Sequence, residues 1–138
     1  MTRSFFDTNV LLYLFDRDEP EKKTRAQEVF ESEVETERAA VSTQVLQEFY
    51  VNATRKLRRP LPPEIAEARV RDFSTLWLVR VDAPLILAAI ARSRTLRFSF
   101  WDALIVEAAH AAGANRLLTE DLQHGQLIEG LLIENPFL

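Results

Sequence analysis

Short apolar segments alternate with longer segments of helical periodicity along the whole chain, and this alternation restricts the possible folds severely. The short segments lack a polar/apolar alternation, which is typical of parallel strands covered on both faces. Repeated strand–helix units predict an α/β fold with parallel crossovers. We therefore expect one domain over residues 1–138, with a central parallel sheet of about five strands and helices on both faces. The predicted strands are 3–6, 39–42, 78–81, 116–119 and 131–133.

The longer segments carry apolar residues at helical spacing. Ala26, Val29 and Phe30 lie on one face of the first long segment. Pro63 stands where a proline is favoured, at the start of a helix, and Gly113 is the predicted C-cap of the last one. Because the chain has only three glycines, a glycine-rich phosphate-binding loop is excluded.

The amino-acid composition excludes several classes of protein. The chain has no cysteine, so disulfides and thiolate metal sites are excluded. The longest apolar run, around residues 83–91, is too short to span a bilayer, and no signal-peptide pattern is present. We expect a soluble cytoplasmic protein without membrane association. The net charge of −4 argues against a protein that simply coats nucleic acid.

The basic residues are nevertheless clustered in two segments, "TRKLRR" at 54–59 and "RSRTLR" at 92–97. Two interpretations remain open. The clusters are either solvated helix ends or a basic rim that faces a substrate around an acidic centre. On the second interpretation, the candidate substrate-binding side chains are Arg55, Lys56, Arg58, Arg59 and Arg97.

Four acids occupy positions where open α/β sheets bind ligands, near the carboxyl ends of strands. Asp7 directly follows the first predicted strand, and Asp121 follows "RLLT" by two positions. Asp102 lies in the first turn of "FWDALIVEAAHAAG", and Glu48 lies in the helix after the second strand. Structural roles are the alternative: Asp7 and Asp121 as N-caps, Ser99 and Asp102 as a capping box, and Glu48 as a solvated helix residue.

Two patterns favour a functional role over a structural one. Asp102 shares a helical line with Val106 and Ala109, whereas a solvated acid should lie on the opposite face. Asp7 is flanked by apolar residues such as Phe6 and Val10, so its surroundings should be dry. In the metal-free protein we expect crowding to raise the pKa of at least one of the four acids.

Four carboxylates at one edge of a sheet need a counter-charge. Two unit charges about 4 Å apart repel by roughly 4 kcal/mol at an effective dielectric constant near 20. A divalent cation is the natural counter-charge, and oxygen ligands favour Mg²⁺, with Mn²⁺ as the alternative, over zinc. The chemistry that such a site implies is metal-assisted attack of water on a phosphodiester.

The runs "FFDTNVLLY", "STQVLQEFY", "FSFWDALIVEAA" and "LLTEDLQHG", in this order, resemble the PIN-domain ribonucleases. Among these the chain is most similar to the small VapC-type toxins of toxin–antitoxin pairs, and the resemblance covers essentially its whole length. It implies a single PIN-like domain and a Mg²⁺-dependent endoribonuclease that hydrolyses RNA phosphodiester bonds. It also implies Asp7, Glu48, Asp102 and Asp121 as catalytic residues, with Asp7, Asp102 and Asp121 as metal ligands.

The same resemblance assigns supporting residues. The polar side chains that would orient the acids or lie beside them are Thr8, Asn9, Ser99 and Thr119. Glu120 competes with Asp121 for the fourth acidic position, and the "T-x-D-L" alignment favours Asp121. Neither histidine is needed: His110 is expected to be solvated on the polar face of its helix, and His124 to lie in a loop.

The resemblance also implies partners. These are an RNA substrate, which the five basic residues would bind, a cognate antitoxin seated in an apolar groove near the first helices, and a second copy of the chain in a homodimer. Three alternatives remain open: a PIN-like protein that binds or processes RNA without being a toxin, a phosphatase of the haloacid-dehalogenase type, and a structural protein with incidental acids. The phosphatase family requires a second aspartate where this chain has Asn9.

Overall fold

A six-stranded sheet forms the centre of the protein in the computed structural model, which describes residues 2–138. The strands lie in the order β3-β2-β1-β4-β6-β5, and each neighbouring pair is parallel except β5 and β6. The predicted α/β architecture is thereby confirmed, with one strand more than expected. The strands are β1 (Arg3–Phe6), β2 (Ala39–Ser42), β3 (Trp77–Val79), β4 (Ala114–Leu118), β5 (Leu127–Ile128) and β6 (Leu131–Glu134).

The additional strand, β5, is the one antiparallel element in the described sheet. It has two residues and forms a tight hairpin with β6, in which Glu129 and Gly130 adopt positive φ angles of 48° and 85°. Two residues are too few to show any periodicity, so this strand could not be predicted. The third predicted strand, at 78–81, is shifted, because β3 ends at Val79.

Within residues 2–138, six helices connect the strands. The C-cap of the last helix is Ala112 rather than the predicted Gly113, which follows Ala112 with a φ of +70°, a left-handed conformation that glycine favours. None of the helices within residues 2–138 has the length and apolar character needed to cross a bilayer. The helices are α1 (Thr8–Tyr13), α2 (Pro20–Glu35), α3 (Thr43–Arg55), α4 (Pro63–Phe73), α5 (Ala83–Thr95) and α6 (Phe100–Ala111).

The central strands are covered on both faces. All four residues of β2 are buried, although successive side chains of a strand point to opposite faces. Phe5 and Phe6 of β1 are likewise fully buried. Phe6 packs edge-on against Phe30 of α2, and Phe49 of α3 packs against Phe73 of α4. The apolar runs in the sequence therefore correspond to strands enclosed between helices.

The strand order places β1 at the point where the direction of the chain across the sheet reverses. The chain moves from β1 to β2 and β3 on one side, and then returns to β4 on the other. In open α/β sheets the crevice at such a switch point, beyond the carboxyl ends of the strands, is where ligands bind. The backbone N–H of Asp7 donates to the carbonyl oxygen of Leu118 at 3.0 Å, which ties the ends of β1 and β4 together.

A charged network links strands β1, β4 and β6 with helix α2. The Arg116 guanidinium on β4 donates to Glu33 of α2, to Glu134 of β6 and to the Ser4 hydroxyl of β1. Ser4 also donates to Glu33, which is buried. Burial alone would raise the pKa of Glu33, but the hydrogen bonds from Ser4 and Arg116 outweigh it and hold that pKa below its usual range.

Replacing Arg116 with leucine is expected to lower the free energy of unfolding at pH 7 by about 3 kcal/mol, because Glu33 is then left buried without its cation. Removing one partner of a buried ion pair costs about 3–5 kcal/mol, and the partial exposure of Arg116 favours the lower value. Urea denaturation measures the change. The double variant Arg116→Leu/Glu33→Leu should recover most of the loss, and a double variant as unstable as the single one would contradict this account.

Candidate active site

A cavity of about 180 Å³ opens at the carboxyl ends of β1, β2 and β4, and all four predicted acids line it. Asp7 follows β1, Glu48 belongs to the helix after β2, Asp121 follows β4, and Asp102 lies in the first turn of α6. The alternative in which these acids are scattered through the fold is therefore wrong.

Asp7 is the most constrained of the four carboxylates. Its Oδ1 accepts a hydrogen bond from the Thr8 backbone N–H at 2.7 Å, and its Oδ2 accepts one from the Thr119 hydroxyl at 2.8 Å. Asp7 is only 8% exposed, and burial raises its pKa to about 7 against the lowering effect of these two hydrogen bonds. The charges of Asp121 and Glu48 add smaller upward contributions. The predicted rise in pKa is confirmed, but desolvation is a larger cause than crowding.

The structural roles considered for the acids are observed at some of these residues and not at others. Asp7 is the N-cap residue of α1 as well as a wall of the cavity. Ser99 caps α6 by accepting from the Asp102 backbone N–H at 3.1 Å. Asp121 precedes no helix, so the N-cap interpretation is wrong there. Asp102 is half-buried in line with Val106, as its position on the helical face predicts.

Glu120 and Asp121, both in the loop after β4, contact different parts of the protein. Asp121 lines the cavity, and its Oδ2 accepts a hydrogen bond from the Asn9 side-chain amide at 2.9 Å. Glu120 points to other partners: it accepts from the Tyr13 hydroxyl at 2.6 Å and pairs with Lys22 at 3.1 Å. Glu120 is therefore engaged in a structural cluster, while Asp121 remains directed to the acidic cavity.

Glu48 is held by residues on two helices. Its Oε1 accepts from the Thr8 hydroxyl at 2.8 Å, and its Oε2 accepts from the Gln44 side-chain amide at 3.3 Å. Thr8 thus supports two acids, since its backbone N–H binds Asp7. Gln44, Asn52 and Trp101 also line the cavity, and none of them was predicted from the sequence. Gln44 and Asn52 lie four residues to either side of Glu48, so helical spacing alone could have found them.

The cavity fits a divalent cation by its chemistry. Its described lining contains four carboxylates together with hydroxyl and amide oxygens, and it includes no lysine, arginine or histidine. Oxygen donors without a protein cation suit Mg²⁺ or Mn²⁺. Within residues 2–138, however, no three acidic or histidine side chains are gathered into a ready metal-ligand cluster. The assignment of Asp7, Asp102 and Asp121 as ligands therefore stays a prediction.

None of the five predicted substrate-binding bases lines the acidic cavity. Lys56 lines a second groove that adjoins the acidic cavity. Arg59 lies 3.5 Å from Asp18, in an ion pair. Arg55, Arg58 and Arg97 are exposed and line neither of these two cavities.

One histidine differs from its prediction. His110 is half-buried rather than solvated, because its Nε2 lies 3.0 Å from the Ile128 carbonyl oxygen of β5, the strand that the sequence did not reveal. His124 lies in the loop before β5, as expected, and its Nδ1 accepts from the Asn135 backbone N–H at 2.9 Å. Neither histidine lines the acidic cavity.

The family of the chain is decided by a comparison with family models. The model of the PIN domain matches residues 4–127. This chain belongs to the PIN domain family. The predicted resemblance is thus confirmed, and the matched segment includes all four acids that line the cavity. No match was found among curated protein sequences.

Solved structures share this PIN fold. A toxin–antitoxin complex from Klebsiella pneumoniae is 22% identical, with a TM-score of 0.70 over 96% of this chain and 97% of that one. The DNA-bound VapBC from Salmonella typhimurium is 24% identical, with a TM-score of 0.65 over 99% of both chains. Mycobacterium tuberculosis VapC20, a sarcin–ricin loop cleaving toxin, is 21% identical, with a TM-score of 0.64 over 86% of this chain and 91% of that one.

Proposed function

We propose that this PIN domain is a Mg²⁺-dependent endoribonuclease that acts in the cytoplasm as the toxin of a VapBC-type pair. The observation that carries the proposal is the convergence of Asp7, Glu48, Asp102 and Asp121 on one cavity without a protein counter-cation. The similarity in fold to VapC20, a toxin that cleaves the sarcin–ricin loop, supports RNA as the substrate. Cleavage of RNA by the purified protein, with and without the metal, tests it.

The side chains around the cavity would keep the acids in place for this reaction. Thr8 and Thr119 fix both oxygens of Asp7, and Asn9 holds Asp121 through its amide. Thr8 and Gln44 hold the two oxygens of Glu48 in the same way. These contacts restrain the carboxylates before the substrate arrives, which reduces the reorganisation needed during the reaction.

The proposed metal ligands are Asp7, Asp102 and Asp121, with Glu48 close enough to share the cavity. A bound Mg²⁺ would supply a Lewis acid for a phosphoryl oxygen and a water of lowered pKa. Trp101, which is 61% exposed at the rim, offers an aromatic face to an unstacked base. The proposed phosphate contacts of the RNA strand are the basic residues predicted from the sequence, of which Lys56 lines the groove that adjoins the acidic cavity.

Millimolar Mg²⁺ or Mn²⁺ is expected to raise the melting temperature of the protein by several degrees. A ligand that binds only the folded state stabilises it by about 2.7 kcal/mol at a hundred times its Kd. The Asp7→Asn and Asp121→Asn variants should lose most of this shift, and EDTA should reverse it in the wild type. A wild-type melting temperature that does not respond to either metal would count against a metal site.

An apolar groove supports the proposed antitoxin partner. A cavity of about 340 Å³ between α1, α2 and α4 has walls of aromatic and aliphatic side chains, as expected for a groove near the first helices. Two of the structural neighbours are toxin–antitoxin assemblies by their descriptions. The apolar residues that line this groove are Leu14, Phe15, Phe30, Val34, Phe73 and Leu76.

An exposed apolar face of α5 supports the proposed homodimer. Ile86, Leu87 and Ile90 lie within about one turn of each other, and Leu87 is 64% exposed. Contiguous exposed apolar residues on a soluble domain mark a surface for another protein. Leu87→Glu should convert a dimer into a monomer in light scattering, without changing the melting temperature of the monomer. A wild-type protein that is monomeric at all concentrations would remove this part of the proposal.

A further inference from the structure

A second groove of about 220 Å³ adjoins the acidic cavity. The two share Asn9, Leu12 and Asn52 in their walls, so they adjoin along α1 and α3. Leu12 and Leu57 are half-buried and give this groove an apolar surface. An RNA strand that reaches the four acids can therefore continue into the second groove.

Helix α3 and its C-cap residue Lys56 present polar side chains along the two cavities. Glu48 lines the acidic cavity, Asn52 lines both cavities, and Lys56 lines the second groove. These residues are spaced by four, which places them on one side of the helix about 6 Å apart along its axis. Along α3, the Glu48 carboxylate thus lies in the acidic cavity, the Asn52 amide lies where the two cavities meet, and the Lys56 ammonium lies in the second groove.

Asn52 and Lys56 are available for a ligand. Within residues 2–138 the Asn52 side-chain amide makes no hydrogen bond, and the Lys56 ammonium makes no ion pair, in contrast to Arg59. Carboxylates on the other wall of the groove have partners of their own. Glu120 is paired with Lys22, and Asp16 accepts from the Asp18 backbone N–H at 3.0 Å.

We propose that this groove binds the nucleotide next to the scissile phosphodiester, with its base over Leu12 and Leu57, its base edge hydrogen-bonded to Asn52, and its outer phosphate paired with Lys56. The proposal rests on the proposed ribonuclease function and adds a binding subsite to it. It makes Asn52 a residue that determines base preference and Lys56 a residue that determines affinity.

Lys56 and the apolar side chains of Leu12 and Leu57 match the two parts of a nucleotide, its phosphate and its base. Lys56 is a cation beyond the acids along α3, where the phosphodiester backbone of a bound RNA strand needs a counter-charge. RNA-binding proteins read single-stranded bases by apolar packing together with hydrogen bonds to the base edge, which are the two kinds of surface present here. An apolar peptide would leave both the Asn52 amide and the Lys56 ammonium without partners.

The first test compares Lys56→Gln with Lys23→Gln in single-turnover cleavage of a short RNA at increasing concentrations of protein. Lys23 is a matched control on α2 that lines neither the groove nor the acidic cavity. Lys56→Gln should raise the half-saturating concentration about tenfold at low salt, with a smaller salt dependence and an unchanged maximal rate. Lys23→Gln should leave all of these within about twofold of the wild type.

The second test measures base preference with RNA oligonucleotides that differ only at the nucleotides flanking the cut, including an abasic one. The abasic nucleotide should slow the wild-type protein about tenfold. Asn52→Ala should slow cleavage of the intact RNA and reduce the differences between bases to within about twofold. Melting temperatures of both groove variants establish that they are folded.

The two tests distinguish a failure of the subsite proposal from a failure of the proposed ribonuclease function. If the wild type cuts RNA but Lys56→Gln matches Lys23→Gln, or Asn52→Ala keeps the wild-type base preference, the groove is not the nucleotide subsite. The same results would be expected if the groove held a segment of a protein partner instead. If the wild type cuts no RNA with either metal, the proposed ribonuclease function itself fails.

Discussion

The Asp7→Asn variant is expected to cleave RNA at least about a hundredfold more slowly than the wild type in single-turnover experiments, with the fold intact. The amide keeps the size of the carboxylate but removes the negative charge that a divalent cation in the cavity requires. Metal activation supplies several kcal/mol, and each 1.36 kcal/mol corresponds to about tenfold in rate. The rate is measured at saturating concentrations of protein and Mg²⁺, so that weaker RNA binding does not affect the measured rate.

A matched control for this variant is Asp82→Asn. Asp82 caps α5 by accepting from the Leu85 backbone N–H at 3.0 Å, and it lies outside the acidic cavity. Asparagine caps helices as well as aspartate does, so cleavage by this variant should stay within about twofold of the wild type. Wild-type cleavage by Asp7→Asn would show that Asp7 is only the cap of α1.

The second large effect is on the pH dependence of stability in the metal-free protein. The pKa of Asp7 is raised from 3.8 to about 7, so the folded state favours the neutral carboxyl. The stability that this group contributes is complete below about pH 4 and is lost as the pH rises to about 7. Three pH units at 1.36 kcal/mol each correspond to about 4 kcal/mol. Asp7→Asn has no charge to bury and should be more stable than the wild type at pH 8 by about this amount.

Urea denaturation in the presence of EDTA at pH 5 and pH 8 measures this difference. Carboxyl groups outside the acidic cavity affect both proteins alike, so the informative quantity is the wild-type value minus the Asp7→Asn value. That difference should favour the variant much more strongly at pH 8 than at pH 5. A difference that is the same at both pH values would mean that the buried carboxyl does not titrate in this window.

The acidic site was predictable because its residues carry two independent patterns. Asp7 and Asp121 follow apolar strands, and Asp102 shares a helical line with Val106, so strand ends and helical periodicity lead to the same edge of the sheet. The order of the strands, with the reversal beside β1, then brings these segments together. Local patterns of this kind are visible in one sequence because they depend only on spacing along the chain.

Other features depend on contacts that spacing does not reveal. Strand β5 forms because of the hairpin at Glu129 and Gly130, and His110 is half-buried because it meets that strand. The partners of Glu120 come from α1 and α2, far away in the sequence, so its exclusion from the cavity could be inferred only from alignment with the family motif. The groove beside Asn52 likewise results from the packing of α1 against α3.

The central claim is that the four acids form a metal-dependent ribonuclease site. Its most direct test is single-turnover RNA cleavage by one protein preparation from which the metal is first chelated and to which it is then restored. The protein is assayed as purified, after EDTA treatment, and after addition of excess Mg²⁺ or Mn²⁺. Cleavage should disappear with EDTA and return with the metal in the wild type, and should not return in Asp7→Asn. Cleavage that persists in EDTA, or that Asp7→Asn performs at the wild-type rate, would contradict the account.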